Sequence, residues 1–570
     1  MLPQFVEDSR PLRQDAMDKA LGHGYHPALA TWIAKEAQLD SCGGLEGFLQ
    51  KNPDLYHDPM LLSGMELAVN RVIEAIQNQE PILIFGDFDV DGLSASSVLY
   101  WGLRKADPRV VPEVYLPNRF TEGHGLKPHL VREFSQRGIK VIITADCGMG
   151  SAEEILLAQS LGISVIVTDH HLPEQEMQGA LAVVNPRLNG YPCDALAGVG
   201  VAYKFIHALL RRMHGENSQI TQSTLINCLD YVAIGTVADV VPLTGENRYM
   251  VEAGLKHMMQ SRLPFLRDYW NRKILRSDLG EQYGPEHVGF YMAPRLNAAS
   301  RLDSAWPAFH FLTSVKLASV VEFGDTLENY NQLRVKRLKE LRSSMAMKIH
   351  RFENIPLIVV ESNSRELGLM GLLASSFSEL YSRSVIALAS NPSGELVGSA
   401  RGIMGFNLKA MLDSVSHVLM NHGGHARAAG LRLKPEYLGE FLQALLRLEP
   451  VHFEQDLTPK TFCAWLDGAH LPEDFVDQQR GLGPFGEENA RPVFALRNYR
   501  LIRHRRVGKE LKDLSMEIEC YSGARMSVIG FGLGNFLQEF LLLPPLVGQL
   551  EYNYFGSKRV QLQCRGIAKN

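Results

Sequence analysis

The chain has few cysteines, no long apolar run and no excess of positive charge, and each absence narrows what it can be. Its seven cysteines are scattered and include no C-x-x-C pair. An odd number with such spacing favours reduced thiols over a disulfide framework. No apolar run approaches the ~18 residues of a membrane helix, and MLPQFVEDSRPLRQD lacks the regions of a signal peptide. We therefore expect a cytoplasmic protein that does not engage membranes.

The net charge of −5 does not favour binding to nucleic acid, but local clusters matter more than the total. Residues 334–342 form a basic, helix-patterned stretch for which a solvated face and a DNA contact are equally good interpretations. Residues 497–509 are denser in cations, and Phe494 and Tyr499 lie close by. Cations for phosphates and rings for base stacking favour a contact with a single strand there. The arginines expected to make it are Arg503, Arg505 and Arg506.

Short apolar runs that end in acids and histidines are the most informative feature that the sequence contains. PILIFG precedes Asp87, Asp89 and Asp91, VIITA precedes Asp146, and VIVT precedes Asp169, His170 and His171. Runs of this composition, bounded by Gly or Asp, are typical of buried strands. Parallel strands present their carboxyl ends at one sheet edge, where ligands bind. We therefore expect these side chains to meet there, with Asp239 of DYVAIGTVADVVPL as a further acid.

Two other interpretations of these acids are weaker. DFDVDG resembles the start of a calcium loop, but such a loop follows a helix and has glutamate at its twelfth position, which here is Val98. Single aspartates after strands are often helix N-caps, and Asp146 or Asp169 alone would be interpreted that way. N-caps do not explain five acids and two histidines that converge on one edge.

The ligand types indicate both the metal and the chemistry. Carboxylates and imidazoles, with Cys147 as the nearby thiol, suit Mn²⁺ or Mg²⁺ better than structural Zn²⁺. Two such ions about 4 Å apart can clamp the attacking and leaving oxygens of a phosphoryl displacement. Asp146 follows the middle strand and is therefore expected to be the ligand that the two ions share. Phosphoester hydrolysis is the predicted reaction.

The pattern along the chain predicts an α/β protein of several domains. The predicted segments are an N-terminal extension (1–46), a doubly wound parallel-sheet domain (47–306), connecting helices (307–353), a smaller α/β domain (354–448) and a C-terminal β-barrel of the OB-fold type (451–570). Strands of the first domain are expected at 82–86, 112–116, 141–145, 165–168 and 181–184. The barrel is expected to contain about five short strands.

Several longer motifs resemble one enzyme family. DFDVDG, ADCG, TDHH and GTVADVV, in this order, resemble the four motifs of the DHH phosphoesterase superfamily, and GGHARAAG resembles its companion domain, DHHA1. LAGVGVAYK, APRLNAASR, GSARGIMGF and GPFGEENARPVF are more specifically similar to the RecJ family of single-strand-specific 5′→3′ DNA exonucleases. The resemblance extends from about Asn70 to the C-terminus.

This resemblance implies hydrolysis of single-stranded DNA to 5′-mononucleotides in DNA repair and recombination, with two Mn²⁺ or Mg²⁺ ions as cofactors. One ion would be held by Asp87, Asp89 and Asp146, and the other by Asp91, Asp146, His170 and Asp239. In related families the second histidine meets the phosphate, which gives His171 that role, while Asp169 could orient the imidazoles. Single-stranded DNA is the expected partner, together with a single-strand-binding protein and a RecQ-type helicase.

Further residues are expected to bind phosphate. Guanidinium groups match phosphate oxygens, which favours Arg119, Arg295 and Arg301, while Asn297 would position the strand. For these four residues, ordinary ion-pair or capping roles are equally good interpretations. The resemblance places Ser399, Arg401 and His425 at a 5′-phosphate pocket. Ser399 and Arg401 are two residues apart and share a face of a continuous strand, although an ion pair with a carboxylate is the alternative for Arg401.

The chain departs from the family pattern outside the metal motifs. The departures are His124, Ser300, Arg365, Glu366, Glu488 and Ala490. They concern accessory regions and do not affect the predicted hydrolysis. Two rival functions are a DHH phosphodiesterase for short oligonucleotides or cyclic dinucleotides and a non-catalytic binding protein. The first would usually lack the C-terminal barrel, and the second would have lost metal ligands.

Overall fold

The chain divides into two compact units in the computed structural model. The first comprises Met1–Tyr115, Gly125–Met292 and Pro459–Asn570, and the second comprises Leu116–His124 and Ala293–Thr458. The structure describes residues 2–36, 44–50, 56–173, 177–273, 283–343, 348–362, 366–448, 460–468, 471–472, 474–553 and 559–569. Arg365 and the expected domain boundary at 449–451 lie outside these residues. None of the helices in the described ranges combines the length and apolar composition that a bilayer span requires.

A five-stranded parallel sheet organises the catalytic part of the first unit. Its strands, in spatial order, are Glu113–Tyr115, Ile82–Gly86, Val141–Ala145, Ser164–Thr168 and Ala182–Val184. The strand positions predicted from apolar runs are confirmed to within one residue at each end. All residues of strands Ile82–Gly86 and Val141–Ala145 are buried, which explains why these strands lack the alternation of apolar and polar residues typical of half-exposed strands.

Helices cover both faces of this sheet, which confirms the doubly wound architecture. On one face Phe85 and Ile142 share a core with Phe134 and Ile155 of two helices, and helix Val90–Ala106 packs against strand Ile82–Gly86 and helix Gly198–His214. The α-helices of this part are Met65–Gln77, Val90–Ala106, Pro128–Gln136, Ala152–Ser160, Gly198–His214, Gln219–Asp239, Gly245–Met258, Asn271–Lys273 and Pro285–His287. Shorter turns are the 3₁₀ helix Pro59–Leu61 and the π-helices Phe265–Trp270 and Val288–Met292.

The C-terminal β-structure of the first unit includes residues from the start of the chain. Its strands are Gln4–Glu7, Thr461–Phe462, Ala464–Asp467, Phe494–Arg497, Tyr499–Val507, Asp513–Cys520, Arg525–Gly530, Leu546–Asn553 and Arg559–Ala568. Strand Gln4–Glu7 pairs with the last strand and with Thr461–Phe462. Ala16, Leu29 and Trp32 lie in one hydrophobic core with residues of the barrel. The predicted N-terminal extension is therefore an integral part of the barrel structure.

The short helices of this region are Gln14–Gly22, Pro27–Lys35, Gly44–Gln50, Phe475–Gly481 and Leu537–Phe540, with 3₁₀ turns at Lys509–Leu511 and Gly534–Phe536. The prediction of five strands was too low. Residues 494–507 form two strands that meet at Asn498, which adopts a left-handed conformation with φ of 62°. Asparagine tolerates this conformation better than most residues, so it permits the chain to turn from one strand to the next.

The second unit contains a mixed six-stranded sheet. Its strands, in spatial order, are Asn421–Gly424, Ala428–Leu433, Leu396–Arg401, Ser384–Ser390, Leu357–Ser362 and Lys348–Arg351. Its helices are Ala293–Leu302, Trp306–Thr313, Leu317–Ser343, Met370–Tyr381, Leu408–Ser414 and Leu438–Leu446, with 3₁₀ turns at Leu367–Leu369, Ser416–Val418 and Pro435–Tyr437. The prediction of helix through residue 353 was wrong at its end, because Lys348–Arg351 pairs with Leu357–Ser362 in an antiparallel arrangement.

Candidate metal centre

Three neighbouring strands deliver the predicted ligands to one edge of the parallel sheet. Asp87, Asp146 and Asp169 each follow a strand directly. The ladder continues beyond the strand ends, because Asp87 N–H donates to Ala145 O at 3.1 Å and Asp146 N–H donates to Thr168 O at 3.0 Å. The strand before Asp146 is the middle one of the three. The aspartates are therefore aligned side by side, as the sequence predicted.

Seven acidic and histidine side chains form overlapping groups that could hold metal ions. The groups are Asp87, Asp89 and Asp146; Asp91, His170 and Asp239; and Asp146, His170 and His171. Within each group, one ligand atom from every residue lies within 4.8 Å of the others. Asp146 and His170 each belong to two groups, and of these two a carboxylate offers two oxygens with which it could bridge two ions.

The imidazole of His170 lies close to two carboxylates of the centre. His170 Nε2 lies 3.2 Å from Asp146 Oδ1 and 3.6 Å from Asp239 Oδ2. Asp239 is the last residue of helix Gln219–Asp239, so a helix end supplies this ligand. Buried Asp146 Oδ1 accepts no hydrogen bond from the residues that the structure describes. Ligand atoms that face one another in this way are suited to share a cation.

Burial and mutual repulsion make the carboxylates costly to ionise without a cation. Burial, and then the neighbouring carboxylates, raise the pKa values of Asp91 and Asp146 well above the usual range. The same causes raise the pKa of Asp239 to about 7. A bound divalent cation would favour the ionised forms, because an opposite charge at contact distance outweighs this repulsion. The donor set thus fits Mn²⁺ or Mg²⁺, which prefer oxygen and imidazole ligands.

The N-terminus of helix Gly198–His214 fixes one of the carboxylates. Backbone N–H groups of Gly198 and Val199 donate to the two oxygens of Asp91, at 2.7 Å and 2.9 Å. Free N–H groups and the dipole at a helix start favour a carboxylate. Asp89 has a further role as the N-cap of helix Val90–Ala106, where its Oδ1 accepts a hydrogen bond from Gly92 N–H at 3.0 Å.

Three glycines allow the carboxylates to pack this closely. A Cβ atom on Gly198 would lie 2.4 Å from Asp146 Oδ1, and one on Gly235 would lie 2.7 Å from Asp91 Oδ1. A Cβ atom on Gly92 would lie 2.7 Å from the Asp87 side chain. The sequence interpretation assigned no role to these residues, although they lie within DFDVDG, LAGVGVAYK and GTVADVV. The approach of Gly198 and Gly235 to the acids arises from packing between distant segments.

Asp169 orients the adjacent histidine rather than joining the metal groups. Its Oδ1 lies 2.7 Å from His171 Nδ1 and also accepts hydrogen bonds from the N–H groups of His170 and His171. Its Oδ2 accepts a hydrogen bond from Met149 N–H at 3.0 Å. The hydrogen bond to Asp169 raises the pKa of the half-exposed His171 imidazole to about 9.

The residues expected at a 5′-phosphate pocket lie on one strand of the second unit. Ser399 and Arg401 are on strand Leu396–Arg401, and Arg401 Nη1 lies 3.5 Å from Ser399 Oγ. A Cβ atom on Gly371 would lie 3.1 Å from that hydroxyl oxygen and 3.2 Å from Arg401 Nη2. In the part of the chain that the structure describes, no carboxylate pairs with Arg401. Burial lowers the pKa of Arg401.

The other phosphate candidates of the second unit differ in their surroundings. Arg295 forms an ion pair with Glu328 at 2.6 Å, which agrees with the alternative interpretation of this residue. Arg301 Nη1 donates to Gly368 O at 3.4 Å. Asn297 Oδ1 is buried and accepts no hydrogen bond from any described residue. Arg119 is half-buried, and His425 is exposed beyond strand Asn421–Gly424, where its N–H donates to Ala428 O.

The basic cluster of the barrel is exposed, but its aromatic neighbours are not. Arg503, Arg505 and Arg506 are exposed on strand Tyr499–Val507, which ends the strand order of its sheet. Phe494 and Tyr499 are 0% and 7% exposed and belong to the barrel core. The expectation that these rings stack on bases was therefore wrong, because both are needed to fill the core. The basic stretch at 334–342 does lie on helix Leu317–Ser343.

Several of the departures from the family pattern lie among the described residues. Glu488 adopts a left-handed conformation, with φ of 54°, at a position where glycine would be relaxed. Buried Ser300 donates a hydrogen bond from Oγ to Asn297 O at 3.3 Å. Glu366 pairs with Arg337 at 3.4 Å, and Ala490 is exposed.

Three family models match successive parts of the chain. The DHH family, N-terminal domain, matches residues 81–236, the DHHA1 domain matches residues 354–448, and the RecJ OB domain matches residues 464–566.

Whole-chain relatives agree with these matches. The chain is 32% identical over 552 residues to the single-stranded-DNA-specific exonuclease RecJ of Bacillus subtilis (strain 168), covering 95% of this chain and 68% of that protein. It is 31% identical over 545 residues to the enzyme of the same description from Haemophilus influenzae, covering 89% and 90%. The crystal structure of RecJ in complex with Mn²⁺ from Thermus thermophilus is similar with a TM-score of 0.75 at 26% identity, covering 98% and 78%. The complex with Mg²⁺ gives a TM-score of 0.70 at 24% identity, covering 100% and 79%.

Proposed function

The chain belongs to the RecJ family of single-stranded-DNA-specific exonucleases, and we propose that it releases 5′-mononucleotides from the 5′ end of single-stranded DNA. The complete set of carboxylate and imidazole ligands at one sheet edge carries this proposal. Divalent metal ions, Mn²⁺ or Mg²⁺, are the cofactors of the centre. The RecJ OB domain at residues 464–566 favours a DNA strand over a cyclic dinucleotide or a short oligonucleotide as the substrate.

Each residue of the centre has a role in this reaction. Asp87, Asp89 and Asp146 would hold one ion, and Asp91, Asp146, His170 and Asp239 would hold the other. When bound, the ions would lower the pKa of a water molecule and offset the charge that develops on the phosphate. His171, which Asp169 holds through Nδ1, is proposed to bind a phosphate oxygen through Nε2. The helix start at Gly198 holds Asp91 in its ligand geometry.

A direct assay tests the activity and its direction. Purified protein with Mn²⁺ is expected to shorten single-stranded DNA labelled at its 3′ end progressively. DNA labelled at its 5′ end is expected to release labelled mononucleotide at once, and blunt double-stranded DNA is expected to persist. Release of mononucleotides from the 3′ end instead would contradict the proposed polarity.

The direction of cleavage is proposed to depend on a pocket for the terminal phosphate. Ser399 offers a hydroxyl and Arg401 a guanidinium at neighbouring positions on one strand. Gly371 leaves the space beside both groups open to an anion. A buried guanidinium that pairs with no described carboxylate is suited to take a phosphate as its counterion.

Arg401→Ala is expected to remove the preference for 5′-phosphorylated over 5′-hydroxyl strands. A hydrogen bond to a charged group contributes about 1.5–3 kcal/mol, so roughly a tenfold to hundredfold preference would disappear. The measurement compares kcat/KM for the two 5′ ends. Arg432→Ala is the control, because this exposed arginine of the same sheet lies 3.6 Å from Glu395. A variant that discriminates as the wild type does would place the phosphate pocket elsewhere.

The exposed strand Tyr499–Val507 is proposed to hold single-stranded DNA by its phosphates. Deleting the barrel is not a clean test, because Gln4–Glu7 and Trp32 share its sheet and core. The variant Arg503→Gln/Arg505→Gln/Arg506→Gln is expected to weaken binding and to reduce the salt slope by roughly 2, at about 0.7 per lost contact. Fluorescence anisotropy at several salt concentrations measures both quantities. Arg525→Gln is the control, because Arg525 already pairs with Glu519; an equal effect of both variants would contradict the assignment.

The cellular setting is proposed from the same family membership. We place the enzyme in the cytoplasm, in DNA repair and recombination, with a single-strand-binding protein and a RecQ-type helicase as partners. Co-purification with each of these two candidate proteins, with and without single-stranded DNA, tests for direct contact.

A further inference from the structure

A cavity of about 550 Å³ lies in the first unit, between the barrel and helical segments of the catalytic part. Its lining comes from residues within 252–256, 283–291, 476–491 and 550–553 and from Gln561. The volume is in the range of pockets for small organic ligands. None of the residues assigned to metal binding lines it.

Aromatic rings form much of this lining. Phe290 and Tyr291 are 77% and 47% exposed. The Tyr291 ring stacks with His287 at a centroid distance of 6.4 Å and an interplanar angle of 24°. The Arg480 guanidinium lies 5.4 Å from the centre of the Tyr552 ring. Exposed rings and stacked guanidinium groups offer flat surfaces that suit a planar aromatic ligand.

Two cations of the lining are paired with carboxylates, which favours a neutral group, such as a base, over a phosphate inside the cavity. Lys256 pairs with Glu252 at 2.7 Å. Arg491 lies between two acids, 3.7 Å from Glu286 and 3.6 Å from Glu551. A phosphate would compete with these carboxylates for the cations. A neutral ring system would not.

The cavity also offers a hydrogen-bond acceptor and a hydrogen-bond donor. Gln479 is 2% exposed, and its Nε2 donates to Leu550 O at 3.0 Å. Its Oε1 accepts no hydrogen bond from the described residues. His287 Nδ1 accepts a hydrogen bond from Gly284 N–H at 2.8 Å, so the neutral ring carries its proton on Nε2 as a donor. An acceptor and a donor among aromatic walls match the polar edge of a nucleobase.

The segment that carries Phe290 and Tyr291 packs against the helix that ends at Asp239. Residues 288–292 pack against helix Gln219–Asp239. A Cβ atom on Gly289 would lie 4.0 Å from Val237 Cγ1, two residues before the metal-binding Asp239. A base held beside Phe290 and Tyr291 would therefore be near the end of the helix that supplies this ligand.

We propose that this cavity binds a nucleobase, stacked against Phe290 and Tyr291 and hydrogen-bonded by Gln479 and His287. The base belongs either to a bound single strand or to a released nucleotide, and the chemistry of recognition is the same for both. The inference rests on the proposed exonuclease function, because that function supplies strands and mononucleotides to the site.

Fluorescence of 2-aminopurine tests the proposal. The full-length protein in EDTA, which prevents hydrolysis, is titrated with single-stranded DNA that carries 2-aminopurine at one position and, separately, with free 2-aminopurine deoxyriboside. A saturable change in fluorescence is expected for one of the two probes. In Phe290→Ala/Tyr291→Ala the change should be lost and the affinity of that probe should fall roughly fivefold or more, since stacking on an aromatic side chain strengthens binding by this amount.

Two variants serve as controls. Tyr291→Phe keeps the ring and should retain the signal, and Tyr521→Ala removes a 69% exposed ring of the barrel outside the cavity and should leave it unchanged. A change with the strand alone assigns the base to bound DNA, and a change with the free deoxyriboside assigns it to a released nucleotide. The proposal is overturned if the fluorescence changes of both probes are the same in Phe290→Ala/Tyr291→Ala as in the wild type. If the fluorescence signal does not depend on these rings but the protein degrades DNA with Mn²⁺, the cavity proposal fails and the exonuclease function stands. If the signal does depend on them but the protein is inactive as a nuclease, the exonuclease function fails and the cavity proposal stands.

Discussion

Asp146→Ala is expected to abolish hydrolysis of single-stranded DNA. Asp146 follows the middle of the three strands and belongs to two of the ligand groups, so its removal would take a ligand from both ions. A loss of at least about 10³-fold in kcat, ~4 kcal/mol of activation free energy, is consistent with the loss of metal activation. Steady-state kinetics with Mn²⁺ measures the effect.

Binding experiments distinguish this result from unfolding. The variant should bind single-stranded DNA nearly as the wild type does, because the proposed phosphate contacts of the barrel are elsewhere, while calorimetry should detect weaker binding of Mn²⁺. Asp268→Ala is the matched control, since this aspartate pairs with Arg267 and Arg272 outside the ligand groups. Substantial hydrolysis by Asp146→Ala would exclude Asp146 as a shared ligand.

Gly198→Ala is expected to produce the second largest loss, although glycine carries no functional group. A Cβ atom there would lie 2.4 Å from Asp146 Oδ1 and 2.5 Å from Asp146 Cβ, so the carboxylate or the helix start must move. The same helix start holds Asp91 by two backbone hydrogen bonds, so both carboxylates would be displaced. Changes in groups that orient metal ligands reduce metal affinity or activity by roughly 10–100-fold.

Gly200→Ala provides the control on the same helix. Its Cβ atom would lie 3.5 Å from Leu196 Cβ, an ordinary contact. Both variants exchange glycine for alanine in one helix, so effects on helix propensity are comparable. Weaker Mn²⁺ binding in Gly198→Ala alone would support the steric explanation, whereas equal activity of the two variants would refute it.

The metal centre could be predicted from the sequence because its geometry follows from local rules. Apolar runs specify the strands that precede Asp87, Asp146 and Asp169, and parallel pairing brings the ends of those strands together. Residue types then indicate oxygen-preferring divalent metals. The strand order was decided by the tertiary structure, because Glu113–Tyr115 pairs with Ile82–Gly86 at the sheet edge instead of lying between Ile82–Gly86 and Val141–Ala145.

Tertiary packing determined contacts that local sequence patterns do not specify. The contacts of Gly198 with Asp146 and of Gly235 with Asp91 join residues distant in sequence, and only the lack of a side chain at each glycine makes the approach possible. Arg295 is placed beside Glu328 by the packing of two helices. The sequence identifies such residues as candidates, but it does not specify which partner they meet.

The barrel shows the same division between local and long-range information. The sequence by itself determined that residues near 499–507 form a basic strand, because strand-forming residues and cations are local features. It did not determine that Phe494 and Tyr499 are buried or that Gln4–Glu7 pairs with Arg559–Ala568. An aromatic ring on a strand can lie on the buried or on the exposed face of a sheet. Which face is buried depends on the segments that pack against the sheet. Phe494 and Tyr499 lie in one hydrophobic core with Leu29 and Trp32 of helix Pro27–Lys35, and this core exists only in the folded chain.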